Sequence, residues 1–167
     1  MRVLAADGLR LEPQVATHAA ELYPVLADPA LYVFTDDKGP TDEAALTGRL
    51  RHLESRRSPD GAEQWLNWVV RTSDCGVVGY VQATVRAGSE AEIAYILGRA
   101  FWRRGYATIA CSLMLSELFQ AYSVRRVTAT LDPRNGASLA LLRKLGFRFV
   151  REERAAGEIT YGKLLGP

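Results

Sequence analysis

Residues 106–122 carry apolar side chains almost all the way round a helix, with Ile109, Leu113, Met114 and Leu118 spread over its circumference. A helix of that kind cannot lie on water with one face only and has to be buried against a sheet. The composition agrees with a packed interior. Apolar residues make up 48% and charged residues 24% of the chain, which excludes a disordered chain, a collagen-like chain and a disulfide-rich mini-protein. A length of 167 residues fits one domain, 1–167, large enough to bury roughly two-thirds of its unfolded surface without a staple.

The rest of the chain supplies the sheet. Gly8–Pro13 alternates apolar and polar residues and reads as a first strand. Residues 14–27 place Val15, Ala19, Leu22 and Leu26 on one helical face, with Pro24 expected to kink or shorten that helix. After the loop 34–40, Thr41 is expected to cap a second helix that opens with Asp42 and Glu43 and carries Leu46, Leu50 and Leu53 in a stripe. Segments 65–72, 77–85 and 91–97 are β-branched and aromatic and are parted by short glycine turns, which points to an antiparallel meander. Beyond the buried helix come a strand at 124–131, a helix at 136–145 ended by Gly146, and two closing strands at 147–153 and 159–165. The architecture expected is mixed α/β.

Charge and cysteine usage narrow the function. The formal net charge is only +2, although all but Lys38, Lys144 and Lys163 of the 21 basic residues are arginine. The arginines are interleaved with acids, so no nucleic-acid partner is expected. Cys75 and Cys111 form neither a zinc nor a disulfide pattern, and no metal is expected. No run approaches the roughly 20 apolar residues that span a bilayer, and Asp7 and Gly8 cut short the apolar start, so a cytoplasmic protein without membrane attachment is expected.

Two stretches carry chemistry. The first is Glu92-Ile-Ala-Tyr-Ile-Leu-Gly-Arg-Ala-Phe-Trp-Arg-Arg-Gly-Tyr-Ala-Thr108, a strand that runs through an Arg-Arg-Gly turn into the buried helix. A helix start offers unpaired N–H groups and partial positive charge, which suits a phosphate. Gly105 allows close backbone approach, and Arg103 and Arg104 can add charge-assisted contacts. The turn is neither a Walker loop nor a Gly-x-Gly-x-x-Gly dinucleotide turn. The second stretch, 132–147, is a strand end, a turn at Asn135-Gly136 and a short helix containing Ser138.

Together these resemble the GNAT acyltransferase family, within it the RimJ/RimL-like branch. The family turn Gln/Arg-x-x-Gly-x-Gly/Ala is matched by Trp102-Arg-Arg-Gly-Tyr-Ala107, with Trp at the first position as in that branch. The signature Asn-x-x-Ser followed by Leu-x-Lys-Leu-Gly-Phe is matched at Asn135, Ser138 and 142–147. The resemblance implies a central, mostly antiparallel twisted sheet of about seven strands flanked by about four helices and splayed in the middle to hold acetyl-CoA. It implies transfer of an acetyl group to an amine acceptor, a protein N-terminus or a small molecule. The pyrophosphate would rest on Arg103, Arg104, Gly105, Tyr106, Ala107 and Thr108, and the pantetheine along Tyr95, Ile96 and Leu97. An N–H near Ile96 or Leu97 would polarise the thioester carbonyl. Glu92 matches the acidic general base of the histone-acetyltransferase branch. Many members place a proton-donating Tyr where this chain has Leu142; the resemblance to the RimL-like branch implies Ser138 as the better candidate for proton donor, with Asn135 on the cofactor side.

Simpler roles stand beside these. Asn135 and Ser138 could only cap a helix, Glu92 could be a strand-edge charge, and the acidic group Asp36, Asp37, Asp42 and Glu43 could be a solvated loop rather than a dock for a cationic amine. Trp65 and Trp68 are expected to pack in the sheet, and His18 and His52 lie far from both motifs. The absence of Tyr at 142 keeps open a second class, an acyl-CoA-binding sensor that transfers nothing. Monomer and homodimer are both compatible with the sequence.

Overall fold

The computed structural model describes residues 1–166. Eight strands form one sheet in the order β1-β2-β3-β4-β5-β6-β8-β7. They are β1 (Leu4–Ala6), β2 (Leu9–Pro13), β3 (Gln64–Thr72), β4 (Gly76–Arg86), β5 (Glu90–Leu97), β6 (Arg126–Leu131), β7 (Arg148–Glu153) and β8 (Glu158–Leu164). Four helices, α1 (Ala19–Leu26), α2 (Glu43–Leu53), α3 (Tyr106–Tyr122) and α4 (Gly136–Lys144), cover it. All neighbouring strands run antiparallel except β5 and β6, which run parallel and are connected through α3.

The period-two alternation of β4 and β5 sorts side chains between two cores. The pairs Val81↔Tyr95, Ala83↔Ile93 and Val85↔Ala91 face α3 and α4, where Cys111, Met114, Leu118 and Leu142 are buried among them. The pairs Tyr80↔Ile96, Gln82↔Ala94 and Thr84↔Glu92 face the other way, and Tyr80 and Ile96 pack with Leu22, Leu26, Leu46 and Leu50 of α1 and α2. The nearly all-apolar α3 is buried as its composition requires, and it turns the narrow polar stripe of Ser112, Ser116 and Gln120 to water.

Local expectations are corrected at several points. The first helix begins at Ala19 rather than residue 14, behind a single 3-10 turn at Ala16–His18. It runs through Pro24 to Leu26, because Pro24 and Ala20, whose carbonyl loses its partner, both lie on the exposed face. The cap of α2 is Asp42, not Thr41: Asp42 Oδ1 accepts the Ala45 N–H at 2.7 Å. Strand β1 is an additional edge strand, pairing Leu4 with Leu11. Strand β7 starts at Arg148, because Gly146 (φ +84°) closes α4 by sending the Phe147 N–H back to Leu142 O at 2.9 Å.

Candidate active site at the parting of β5 and β6

The two parallel strands stay paired for three residues only, Glu90↔Arg126, Ala91↔Val127 and Glu92↔Thr128, and then separate. Strand β5 continues to Leu97 with β4 alone on its other side. The phase of its hydrogen bonds is set by the Gly98 N–H, which donates to Val78 O at 2.9 Å. Even-numbered residues of β5 therefore turn their backbone groups to β4, and Ile93, Tyr95 and Leu97 turn theirs to the gap. Of Ile96 and Leu97, Leu97 is thus the one whose N–H faces the opening.

The parting coincides with an irregularity in β4. Val70 pairs with Gly79 and Arg71 with Val77, so Val78 is an extra residue that bends the strand. At Gly79 a Cβ would lie 2.2 Å from Ile96 O, so only glycine lets β4 draw β5 this close as β6 moves away.

Below the gap the chain makes a 3-10 turn at Arg99–Phe101 and enters α3 through two left-handed residues, Arg103 (φ +60°) and Gly105 (φ +83°). No side chain caps α3, and its first intrahelical bond is Ile109 N–H to Gly105 O at 3.2 Å. The N–H groups of Tyr106, Ala107 and Thr108 are therefore available, flanked by the exposed guanidinium groups of Arg103 and Arg104. The Trp102 indole, 49% exposed, turns back and donates its Nε1–H to Leu97 O at 2.7 Å.

The second motif lies across the gap. Asn135 Oδ1 accepts the Ser138 N–H at 3.0 Å and so caps α4. The Tyr95 hydroxyl reaches Ser138 O at 3.5 Å, which sets the start of α4 beside β5. Burial pushes the Tyr95 phenol well above its ordinary range, so it stays a neutral donor. The Ser138 hydroxyl is half-buried, whereas Leu142 is sealed in the core at 1% exposure.

Glu92 lies on the α1/α2 face at the point where the strands part, with its carboxylate 3.2 Å from Arg86 Nη1. The acidic loop is less free than its sequence suggests. Asp37 accepts from Arg49 Nη1 at 3.1 Å and from the Gly39 N–H at 2.9 Å, while Asp42 is spent as a cap. Burial raises the Asp37 pKa, but the Gly39 N–H and Arg49 outweigh it and leave the carboxyl below its ordinary value. Arg49, Tyr32, Tyr80, Gln82 and Gln14 line a small cavity of about 10 Å³ under α2, together with Leu26, Leu46, Leu50 and Leu53. This group was not legible in the sequence, although the place of Tyr80 and Gln82 in the β4 alternation was the available signal.

Other expected assignments fall outside the gap. Trp68 is fully buried and donates to Arg2 O at 3.2 Å, and Trp65 donates to Glu63. His18 accepts the Val15 N–H at 3.0 Å, and the His52 ring lies 5.5 Å from that of Trp65. Among the described residues no cluster of three His, Cys, Asp or Glu could hold a metal, and no helix is long and apolar enough to cross a membrane.

A mixed sheet opened between two parallel strands, with an uncapped helix start beneath the opening, can hold an extended ligand that carries a phosphate at one end. The sequence matches the acetyltransferase (GNAT) domain over residues 8–148, and the chain belongs to that family of N-acetyltransferases, which use acetyl-CoA and act on amine acceptors. It is 25% identical over 150 residues to the uncharacterised N-acetyltransferase p20 of Bacillus licheniformis, covering 89% of this chain and 83% of that protein. Its fold is similar to RimL, a ribosomal L7/L12 alpha-N-protein acetyltransferase solved with coenzyme A, with TM-score 0.84 at 15% identity over 98% of both chains. It is also similar to Mycobacterium smegmatis RimJ, solved with CoA-disulfide, with TM-score 0.81 at 21% identity over 98% of this chain and 86% of that one.

Proposed function

We propose that the protein transfers an acetyl group from acetyl-CoA directly to a primary amine, of a protein N-terminus or a small molecule, within a ternary complex. The observation that carries this reading is the gap itself: Tyr95 presents its unpaired backbone groups and Leu97 its unpaired N–H to it, and the free N–H groups of α3 lie below. A pantetheine chain can pair with the open edge of β5 as a strand would, and a pyrophosphate suits the N–H groups of Tyr106–Thr108 with Arg103 and Arg104. When bound, acetyl-CoA supplies the acyl group already activated as a thioester.

The Leu97 N–H donates to the acyl carbonyl oxygen, where negative charge grows; such oxyanion contacts are worth roughly 3–4 kcal/mol. Glu92, directly or through water, takes the proton that an ammonium must lose before its nitrogen can attack. As the new C–N bond forms the nitrogen sheds its second proton to solvent, and as the C–S bond breaks the Ser138 hydroxyl gives a proton to the departing sulfur and regains one from the medium. Direct transfer is favoured because Cys111 is buried, with its thiol pushed up to about 12, and both histidines are engaged away from Cys75.

Calorimetric titration of acetyl-CoA tests the reading, with Gly105→Trp as the control. Micromolar binding to the wild type, lost in the control, is expected. A folded wild-type protein that binds no acetyl-CoA would overturn it.

A further inference from the structure

Trp102 replaces the Gln or Arg that commonly opens the GNAT turn, and nearly half of its surface is exposed. Its one polar atom is committed: Nε1–H donates to Leu97 O at 2.7 Å, the short end of the N–H···O range. That carbonyl lies on the gap side of β5, on the same residue whose N–H faces the opening. Two further bonds fix the same phase, Thr128 Oγ1 to Ala91 O at 3.5 Å and Gly98 N–H to Val78 O at 2.9 Å.

A bare Leu97 carbonyl at this place would cause two difficulties. As an acceptor it would repel an acyl carbonyl oxygen seeking the adjacent N–H, and the Leu97–Gly98 peptide, without β6 beside it, would be held from the β4 side alone. Trp102 answers both. The indole satisfies the carbonyl from the gap side while Val78 O holds the following Gly98 N–H from the other, so the Leu97–Gly98 peptide is pinned on both edges. The Trp102 side chain is itself placed by the 3-10 turn, through Phe101 N–H to Gly98 O at 2.9 Å and Trp102 N–H to Arg99 O at 3.2 Å.

We propose that Trp102 is a positioning residue for acyl transfer: its indole N–H caps Leu97 O and thereby aims the Leu97 N–H at the thioester carbonyl. The assignment rests on the function proposed above and adds to it the residue that orients the donor. The feature that matters is a donor at this place rather than an aromatic ring. A Gln or Arg at the same position, as in the common form of the turn, can satisfy the same carbonyl.

Carbon-13-edited infrared spectroscopy of bound [1-13C]acetyl-CoA separates donor from ring. In the wild type a hydrogen-bonded carbonyl shifts its stretch to lower wavenumber than in free acetyl-CoA. Trp102→Phe, which keeps the ring and loses the donor, should lose most of that shift, and Trp102→Gln, which keeps a donor and loses the ring, should retain it. The half-exposed side chain lets both variants fold, as thermal melts would check. Both should bind acetyl-CoA within about tenfold of the wild type, the scale of one hydrogen bond. A full shift in Trp102→Phe, or a loss in Trp102→Gln equal to that in Trp102→Phe, would overturn the role of the donor. Binding to the wild type without any shift would overturn the aim of the Leu97 N–H while leaving the cofactor site standing, and no binding at all would remove the reading beneath both.

Discussion

Glu92 and Arg86 face each other across β4 and β5 at 3.2 Å, and the same guanidinium holds Glu63 at 2.8 Å through Nε. The candidate base is thus anchored at the mouth of the gap by a cation that is shared with a second carboxylate. An anchored carboxylate keeps its place but has fewer lone pairs free to accept a proton.

The anchoring suggests how the role of Glu92 can be measured. Glu92→Gln preserves shape and a hydrogen-bond acceptor for Arg86 but cannot take a proton. If Glu92 is the base, kcat falls by about 10²-fold or more while the acetyl-CoA Kd stays near wild type. Steady-state rates with a primary amine that the wild type acetylates check this, and an unchanged kcat would leave Glu92 as a strand-edge ion pair.

At the start of α4 two neighbouring residues should respond differently. Ser138→Ala removes a hydroxyl that lies beside the Tyr95 phenol and leaves the Asn135 cap on the residue 138 N–H in place, so stability should change little and kcat should fall by about 10²-fold with acetyl-CoA affinity intact. Asn135→Ala removes the cap and should cost about 1 kcal/mol, lowering Tm by roughly 2–4 °C. Parallel thermal melts and kinetics of the two variants separate the roles.

The contrast between these two residues shows where the sequence speaks and where it does not. Helix α3 is legible to the residue, because its apolar periphery and Gly105 mark both what it packs on and where it starts. The meander is legible from its β-branched runs. Strand β1 is not, since three residues at a sheet edge carry too little pattern. The choice between Thr41 and Asp42 as a cap is not either, because both residue types cap helices and the backbone decides between neighbours. At the site, alternation along residues 92–97 separates two faces but not which is which; the register of Glu92 with Thr84 decides it. The bond from Trp102 to Leu97 O depends on a 3-10 turn whose exit angle no local pattern encodes.

Glu117 on α3 is 3% exposed, and its carboxylate is met by Arg2 at 2.7 Å, which ties the first residues of the chain to the helix that carries the site. Arg2→Ala should lower Tm, because it strands a charge in the interior. Adding Glu117→Met to Arg2→Ala should recover part of that loss by removing the stranded charge. Melting curves of the single and double variants check the order, and a double variant less stable than Arg2→Ala alone would contradict it.

The deepest ionisable group near the site is Cys111, beneath β5, and it predicts alkaline lability. An ordinary thiol titrates near 9.0, and burial pushes this one up to about 12. Below pH 9 both folded and unfolded chains keep the proton, and stability does not depend on it. Between pH 9 and 12 the unfolded chain gains by ionising while the folded chain cannot, so stability falls as pH rises through that window, by on the order of 4 kcal/mol at its end. Tyr32, likewise pushed up to about 12 by burial, adds a loss of the same sign above pH 10. Urea melts at pH 7, 9, 10 and 11 should show the decline, and Cys111→Ala should make it shallower between pH 9 and 10, where the tyrosines have only begun to ionise. At pH 8 in native buffer a thiol reagent should find Cys75 and spare Cys111, with both reacting once the chain is unfolded.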